Sequence, residues 1–147
     1  MIRTVLVVVI SLTSLFVGIK FKNYYKRRAR LWKELYDFAV FFKEEITFRK
    51  TLVEDVIVKF GLSKELEAIR LKKFDGLPFN EDEIVMISDF FDSLGRFGLT
   101  LEIENVERYI DKIRERCKDS EKNNEEKGKN SVKLSALIAI GIFLVLI

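Results

Sequence analysis

The sequence predicts an all-α protein, a cytoplasmic multi-helix bundle flanked by N- and C-terminal transmembrane helices. Three observations predict it. Uncharged, apolar segments occupy both extremes, residues 4–19 and 134–147. The stretch between them repeats its apolar residues in steps of three and four, the period of one helix face. A single proline and seven glycines in 147 residues leave few places to break a helix. The length suits one domain, and the expected boundaries are a first span at 2–21, a helical domain at 22–126 and a second span at 132–147.

The first segment, TVLVVVISLTSLFVGI, makes about 24 Å of helix at roughly 1.5 Å per residue. Ile2 and Phe21 extend it toward the ~30 Å hydrocarbon thickness, and the stems of Arg3, Lys20 and Lys22 reach the headgroups. It is followed at once by KFKNYYKRRARLWK, in which Lys20, Lys22, Lys26, Arg27, Arg28, Arg30 and Lys33 are basic and nothing is acidic. Basic residues beside a span stay on the cytoplasmic side. The run therefore fixes topology, with the chain's N-terminus outside. Lys127, Lys129 and Lys133 favour the same side for the second span. A cleaved signal would carry its charge before the apolar run, and VGIKFKN is a poor cleavage site. A nucleic-acid arm would need base readers; Tyr24, Tyr25 and Trp32 fit an interfacial aromatic belt as well. A lipid-anchor signal at the C-terminus would need small residues in EKNNEEKGKNSVK.

The middle reads as successive helices. Leu31, Leu35, Phe38, Phe42 and Ile46 mark one face of a helix that continues the first span. Thr51 with Glu54 looks like a capping box and Gly61 like a stop. Ser63 opens a short helix. DGLPFNED is the strongest breaker, with Asn80 and Glu83 as N-cap and third residue. Ile84, Ile87, Phe91 and Leu94 form the next stripe, LGRFG ends it, and Ile103, Val106, Ile110, Ile113 and Cys117 form the last. Residues 119–130 read as a polar connector, helical or loose.

The chemistry of catalysis is sparse. The chain has no histidine and one cysteine, so the commonest general base and metal ligand are missing and no disulfide framework is available. No phosphate loop or metal motif occurs. Glu44–Glu45 and Glu81–Asp82–Glu83 read as a solvated helix face or a helix N-terminus that favours negative charge. The net charge of +3 is too small for a general polyanion binder. These features point away from an enzyme, a cofactor, a small-molecule substrate or a nucleic-acid partner. They point toward a protein that binds membrane and other proteins.

In order along the chain, the apolar span with its basic run, EEITFRKTLVE, FFDSLGRFGLTLEIENVERYI and the apolar tail resemble the stage III sporulation protein AB family over nearly the whole length. After Leu94–Gly95, Gly98 and Glu102 stand where that family has Asp and Gln, and the pair is expected to shape the turn and cap the last helix. The resemblance implies a subunit of a secretion-like channel complex required for endospore formation. Its place would be the mother-cell membrane around the forespore, its partners the other subunits, including a secretion-type ATPase. By similarity to the platform proteins of type II secretion and type IV pili, the domain would dock that ATPase as a non-enzymatic adaptor. Candidate docking residues are Glu81, Asp82 and Glu83 at one edge, and Glu104, Glu107, Arg108, Asp111, Lys112, Arg114 and Glu115 on the last helix. Gly95 and Gly98 are candidate turn residues. The alternative is a membrane regulator that binds anionic lipid through the basic run.

Overall fold

The computed structural model describes residues 2–146, so the final residue of the second expected span lies outside it. All regular elements among them are helical: α1 (Ile2–Phe48), α2 (Val53–Phe60), α3 (Lys64–Arg70), α4 (Glu81–Ser93), α5 (Leu99–Asn123), a π-helical turn (Asn124–Gly128) and α6 (Lys129–Leu146). Two stretches, Thr4–Phe48 and Leu99–Val145, are long and apolar enough to cross a membrane. The chain forms two compact units, one of residues 1–29 with 120–147, the other of residues 30–119. α1 contributes to both, because no glycine or proline interrupts it after Gly18.

The unit of residues 30–119 is built on the aromatic face of α1. Leu31, Trp32, Leu35, Phe38 and Phe42 are completely buried. Phe38 sits at the centre, its ring centroid 5.3 Å from Phe60, 5.7 Å from Phe91, 6.0 Å from Phe42 and 6.2 Å from Phe90. Such tilted and edge-on pairs add stabilisation beyond the area they bury. Val106, Ile110, Ile113 and Cys117 of α5 close the core from another side. On α4 the core residues are Ile87, Phe90 and Phe91, while Ile84 is only half-buried. Of the expected stripe, Ile87, Phe91 and Leu94 are buried in the core and Ile84 packs against it; Phe90 is a further core residue that the spacing did not single out.

Helix ends follow local chemistry with two exceptions. Gly61 takes the left-handed conformation (φ 73°) and stops α2, its N–H donating to the Ile57 carbonyl. The Ser63 hydroxyl accepts from Leu66 N–H at the start of α3. Asn80 and Glu83 form the reciprocal capping box of α4, Asn80 N–H donating to Glu83 Oε2 at 2.9 Å. The expected Thr51–Glu54 box does not form. The N-cap of α2 is Leu52, and the Thr51 hydroxyl instead donates to Glu45 Oε2 at 3.2 Å. The second exception is Lys50 (φ 52°) and Lys72 (φ 61°), which occupy the left-handed region usually given to glycine. The Lys72 ammonium contacts Ser88 and Asp92 of α4.

Glu45 corrects the reading of Glu44–Glu45 as a solvated face. Glu44 is exposed, but Glu45 is buried at 6 % exposure. The Lys59 ammonium donates to Glu45 Oε1 at 2.8 Å and holds the carboxyl below its ordinary range. Burial opposes this, and Arg49 and Thr51 add to it. A lowered folded value stabilises the fold above the unfolded carboxylate pKa of about 4.3 and is lost as pH falls through the folded value. Glu45→Gln is therefore expected to lower the urea midpoint at pH 7 and to flatten its fall below about pH 4.3. Parallel pH curves for the two proteins would contradict that role.

In the first unit, α1 and α6 pair antiparallel along a small-residue seam. Ser11 donates to the Ala139 carbonyl at 3.4 Å, Ser14 to the Ser135 carbonyl at 3.3 Å, and Ser131 to the Gly18 carbonyl at 3.2 Å. A Cβ on Gly18 would lie 2.3 Å from Ser135 Oγ and 2.7 Å from Ser135 Cβ. Only a residue without a side chain permits this approach, the device by which helices pack closely in lipid. Outward lie Val5, Leu6, Val9, Leu12 and Phe16 of α1, and Leu137, Ile140 and Leu144 of α6, all exposed. Gly18→Leu is expected to separate the pair. A disulfide engineered between Ser14→Cys and Ser135→Cys should form readily while Gly18 is kept and poorly once Gly18→Leu is added; equal yields would refute the seam. Residues 119–130, expected as a connector, are helical throughout and pass through the π turn. Gly128 in that turn is buried, with Tyr25 Cβ 3.3 Å from where its own Cβ would be.

Candidate functional site

The structure sorts the candidate residues into three places. The first is the basic run on α1. Lys20, Lys22, Lys26 and Arg27 are exposed and Arg28 is half-buried in the helix pair. Lys33 is exposed in the other unit, where Arg30 pairs with Glu65 at 3.0 Å. Within the helix pair the Gly18–Ser131 and Tyr25–Gly128 contacts set residues 18–25 opposite 128–131. Lys127, Lys129 and Lys133 therefore share a level with Lys20, Lys22 and Lys26, beside Glu125 and Glu126. The result is a predominantly basic band that both helices build at one end of their apolar surfaces. Tyr24 and Tyr25 lie in it, edge to face at 5.4 Å.

The second place is the acidic edge and the face of α5. Glu81 and Asp82 are exposed in the first turn of α4, but Glu83 is 2 % exposed and committed to the capping box, with Arg116 at 3.9 Å. Glu83 is not a surface residue, and its place among candidate docking residues is withdrawn. On α5 several charges are turned to partners within the unit. Glu107 pairs with Lys43, Asp111 with Arg114 at 3.1 Å, and Arg108 donates to Asn105 at 3.4 Å. Lys112 stands 5.5 Å over the Tyr109 ring and Arg114 5.8 Å over that of Tyr36. Burial and nearby Asp89 raise the Tyr109 phenol above its ordinary value. Glu104 and Glu115 are exposed. Arg114 also lines a groove of about 510 Å³ against Tyr36, Val40 and Lys43 of α1.

The third place is the turn at Gly95. Its φ of 78° belongs to the left-handed region, and a Cβ there would meet Val53 Cγ2 at 2.7 Å. Gly98 has neither requirement, since its φ is ordinary and an added Cβ would meet open space. Glu102, 4 % exposed, accepts from Gly95 N–H at 2.8 Å and from Phe97 N–H at 3.3 Å. It thereby ties the turn to the first turn of α5. Two charge-assisted hydrogen bonds to backbone donors are strong for their size. The turn borders a groove of about 430 Å³ that spacing in the sequence did not reveal. The α1–α2 connection (residues 49–52) forms its other wall, with Lys50 and Leu52.

No group of His, Cys, Asp and Glu among the described residues could hold a metal ion. No protein-family model, curated protein or solved structure matches this chain.

Proposed function

We propose that this protein is a membrane-anchored, non-enzymatic adaptor. Its paired apolar helices span a membrane, and its Phe-rich helical unit lies in the cytoplasm and presents a surface to protein partners. The observation that carries the reading is the division of the chain into two kinds of unit. One exposes apolar side chains outward around a hydrogen-bonded, small-residue seam, the pattern of helices packed in lipid. The other buries an aromatic core and exposes charge, the pattern of a domain in water. The basic band supports the orientation, because Lys and Arg at a span's end stay in the cytoplasm. The resemblance to the stage III sporulation protein AB family supplies the sharper form. The partners would be the other subunits of a secretion-like sporulation channel in the mother-cell membrane, with the helical unit docking its ATPase.

The test is crosslinking of the full-length protein in its native membrane, with mass spectrometry of captured peptides. A secretion-type ATPase joined through residues 51–117 is the expected result. Capture of lipid alone would overturn the adaptor reading. Reporter fusions check the orientation: neutral replacements of Lys26, Arg27, Arg28 and Arg30 are expected to scramble it, and an unchanged pattern would remove the topology argument.

The regulator alternative is favoured by one observation, that basic residues of both helices meet at one level. It predicts partner-independent binding to anionic vesicles that weakens steeply with salt.

A further inference from the structure

At the end of its apolar segment α1 carries a shallow groove of about 250 Å³, lined by Lys20, Phe21 and Tyr24. With 3.6 residues per turn, position 20 lies about 200° around the helix from position 18. Gly18 faces α6, so Lys20 faces away from it and from Glu125 and Glu126. The first part of α1 offers no carboxylate either, because no acidic residue precedes Glu34. Side chains on a helix lean toward its N-terminus. Lys20 follows that rule, its ammonium standing 5.0 Å from the Phe16 ring centroid, one turn back into the apolar segment. Phe16, Phe21 and Tyr24 are all exposed around it. Lys20 is exposed too, and among the described residues it makes no salt bridge. An ammonium without a counter-ion is thus set among apolar side chains, a costly position at the edge of a hydrocarbon layer.

We propose that Lys20 and this groove bind one anionic phospholipid, its phosphate on the Lys20 ammonium and an acyl chain laid along Phe21 and Phe16. Depth and charge select this occupant. Tyr24 and Tyr25 mark the interface level, where lipid phosphates lie. The exposed apolar residues on the other side of that level, Val17 and Ile19 among them, are those that a spanning helix sets against acyl chains. Lys22 and Lys26, also exposed, add positive charge nearby, which favours an anionic lipid over a zwitterionic one. A second copy of the chain seated on the same face would set Lys20 against Lys20. The proposal rests on the reading that the paired helices span a membrane. It differs from the regulator alternative, in which the whole basic run meets a charged surface. Here one lipid is held at one residue and stays with the protein.

The experiment is native mass spectrometry of the full-length protein released from detergent micelles, titrated with phosphatidylglycerol and with phosphatidylcholine of the same chains. A single retained phosphatidylglycerol is expected, with a preference of about tenfold or more over phosphatidylcholine. Lys20→Gln is expected to weaken its binding about fivefold or more, and Lys20→Arg to keep it, while Lys22→Gln, on another face of α1, costs less. The crosslink between Ser14→Cys and Ser135→Cys reports that the helix pair is intact in each variant. Equal retention of the two lipids, or equal losses from Lys20→Gln and Lys22→Gln, overturns the proposal. So does displacement of the lipid by millimolar inorganic phosphate, or a dimer that Lys20→Gln abolishes. Alkaline carbonate extraction of native membranes separates the two readings. Release of the protein rejects the spanning pair and the site with it. Retention in the membrane without a lipid preference rejects the site alone.

Discussion

Phe38→Ala is expected to cost about 3–5 kcal/mol, the usual range for emptying a buried aromatic site. Phe38 has no exposed surface and touches rings from α1, α2 and α4 at once. Collapse around the hole is resisted because the four neighbouring rings are held by three helices, α1, α2 and α4. For a domain whose whole stability is on the order of 5–15 kcal/mol, such a loss leaves little margin. The measurement is a urea titration in detergent followed by emission from Trp32, the single and fully buried tryptophan. Val58→Ala, at a side chain 79 % exposed, is the control and should leave the midpoint in place. Equal midpoints for Phe38→Ala and wild type would mean that the aromatic cluster does not hold the unit together.

Gly95→Val is expected to destabilise by about 3 kcal/mol, the sum of a left-handed backbone cost of roughly 1–2 kcal/mol and a steric collision. The backbone cost follows from φ 78°, and the collision from Val53 Cγ2, 2.7 Å from the added Cβ. The two parts are separable. Val53→Ala should relieve the collision in Gly95→Ala but leave the backbone cost, so adding Gly95→Ala should cost less in the Val53→Ala background than in wild type. Gly98→Ala should be near neutral, because its Cβ would meet nothing. Because the turn belongs to the unit proposed to bind partners, the valine variant should also lose partner capture. A Gly95→Val protein with wild-type stability and capture would contradict both the turn geometry and its use. Equal effects at Gly95 and Gly98 would show that flexibility, rather than left-handed geometry, is what that segment needs.

Glu102 shows how a departure noticed in sequence acquires a role only in three dimensions. Its position four residues after Gly98 suggested a cap. That its carboxylate reaches back to Gly95 and Phe97 N–H depends on how the α4–α5 turn folds over the first turn of α5. Glu45 is the converse case. Beside Glu44 it read as surface, and it is buried because Lys59, fourteen residues on, comes back to meet it.

The sequence by itself determined what is local. The apolar ends, the uninterrupted α1, the stop at Gly61, the Ser63 cap and the Asn80–Glu83 box are each set by residues within a turn or two of one another, where propensity and capping operate. Tertiary structure decided everything that needs distant residues to meet. Thr51 could cap α2 or bond Glu45, and the nearness of Glu45 settled it. Phe90 joins the core beside the stripe expected from spacing, packed against Phe38 and Tyr109 from other helices. Lys50 and Lys72 occupy left-handed backbone conformations usually taken by glycine, and the Lys72 ammonium reaches Ser88 and Asp92 of α4. The groove has one wall from residues 49–53 and another from 94–99, and neither segment implies the other. Local signals fix helices because a helix closes its hydrogen bonds within itself. A surface formed by two turns exists only once the core has brought them together.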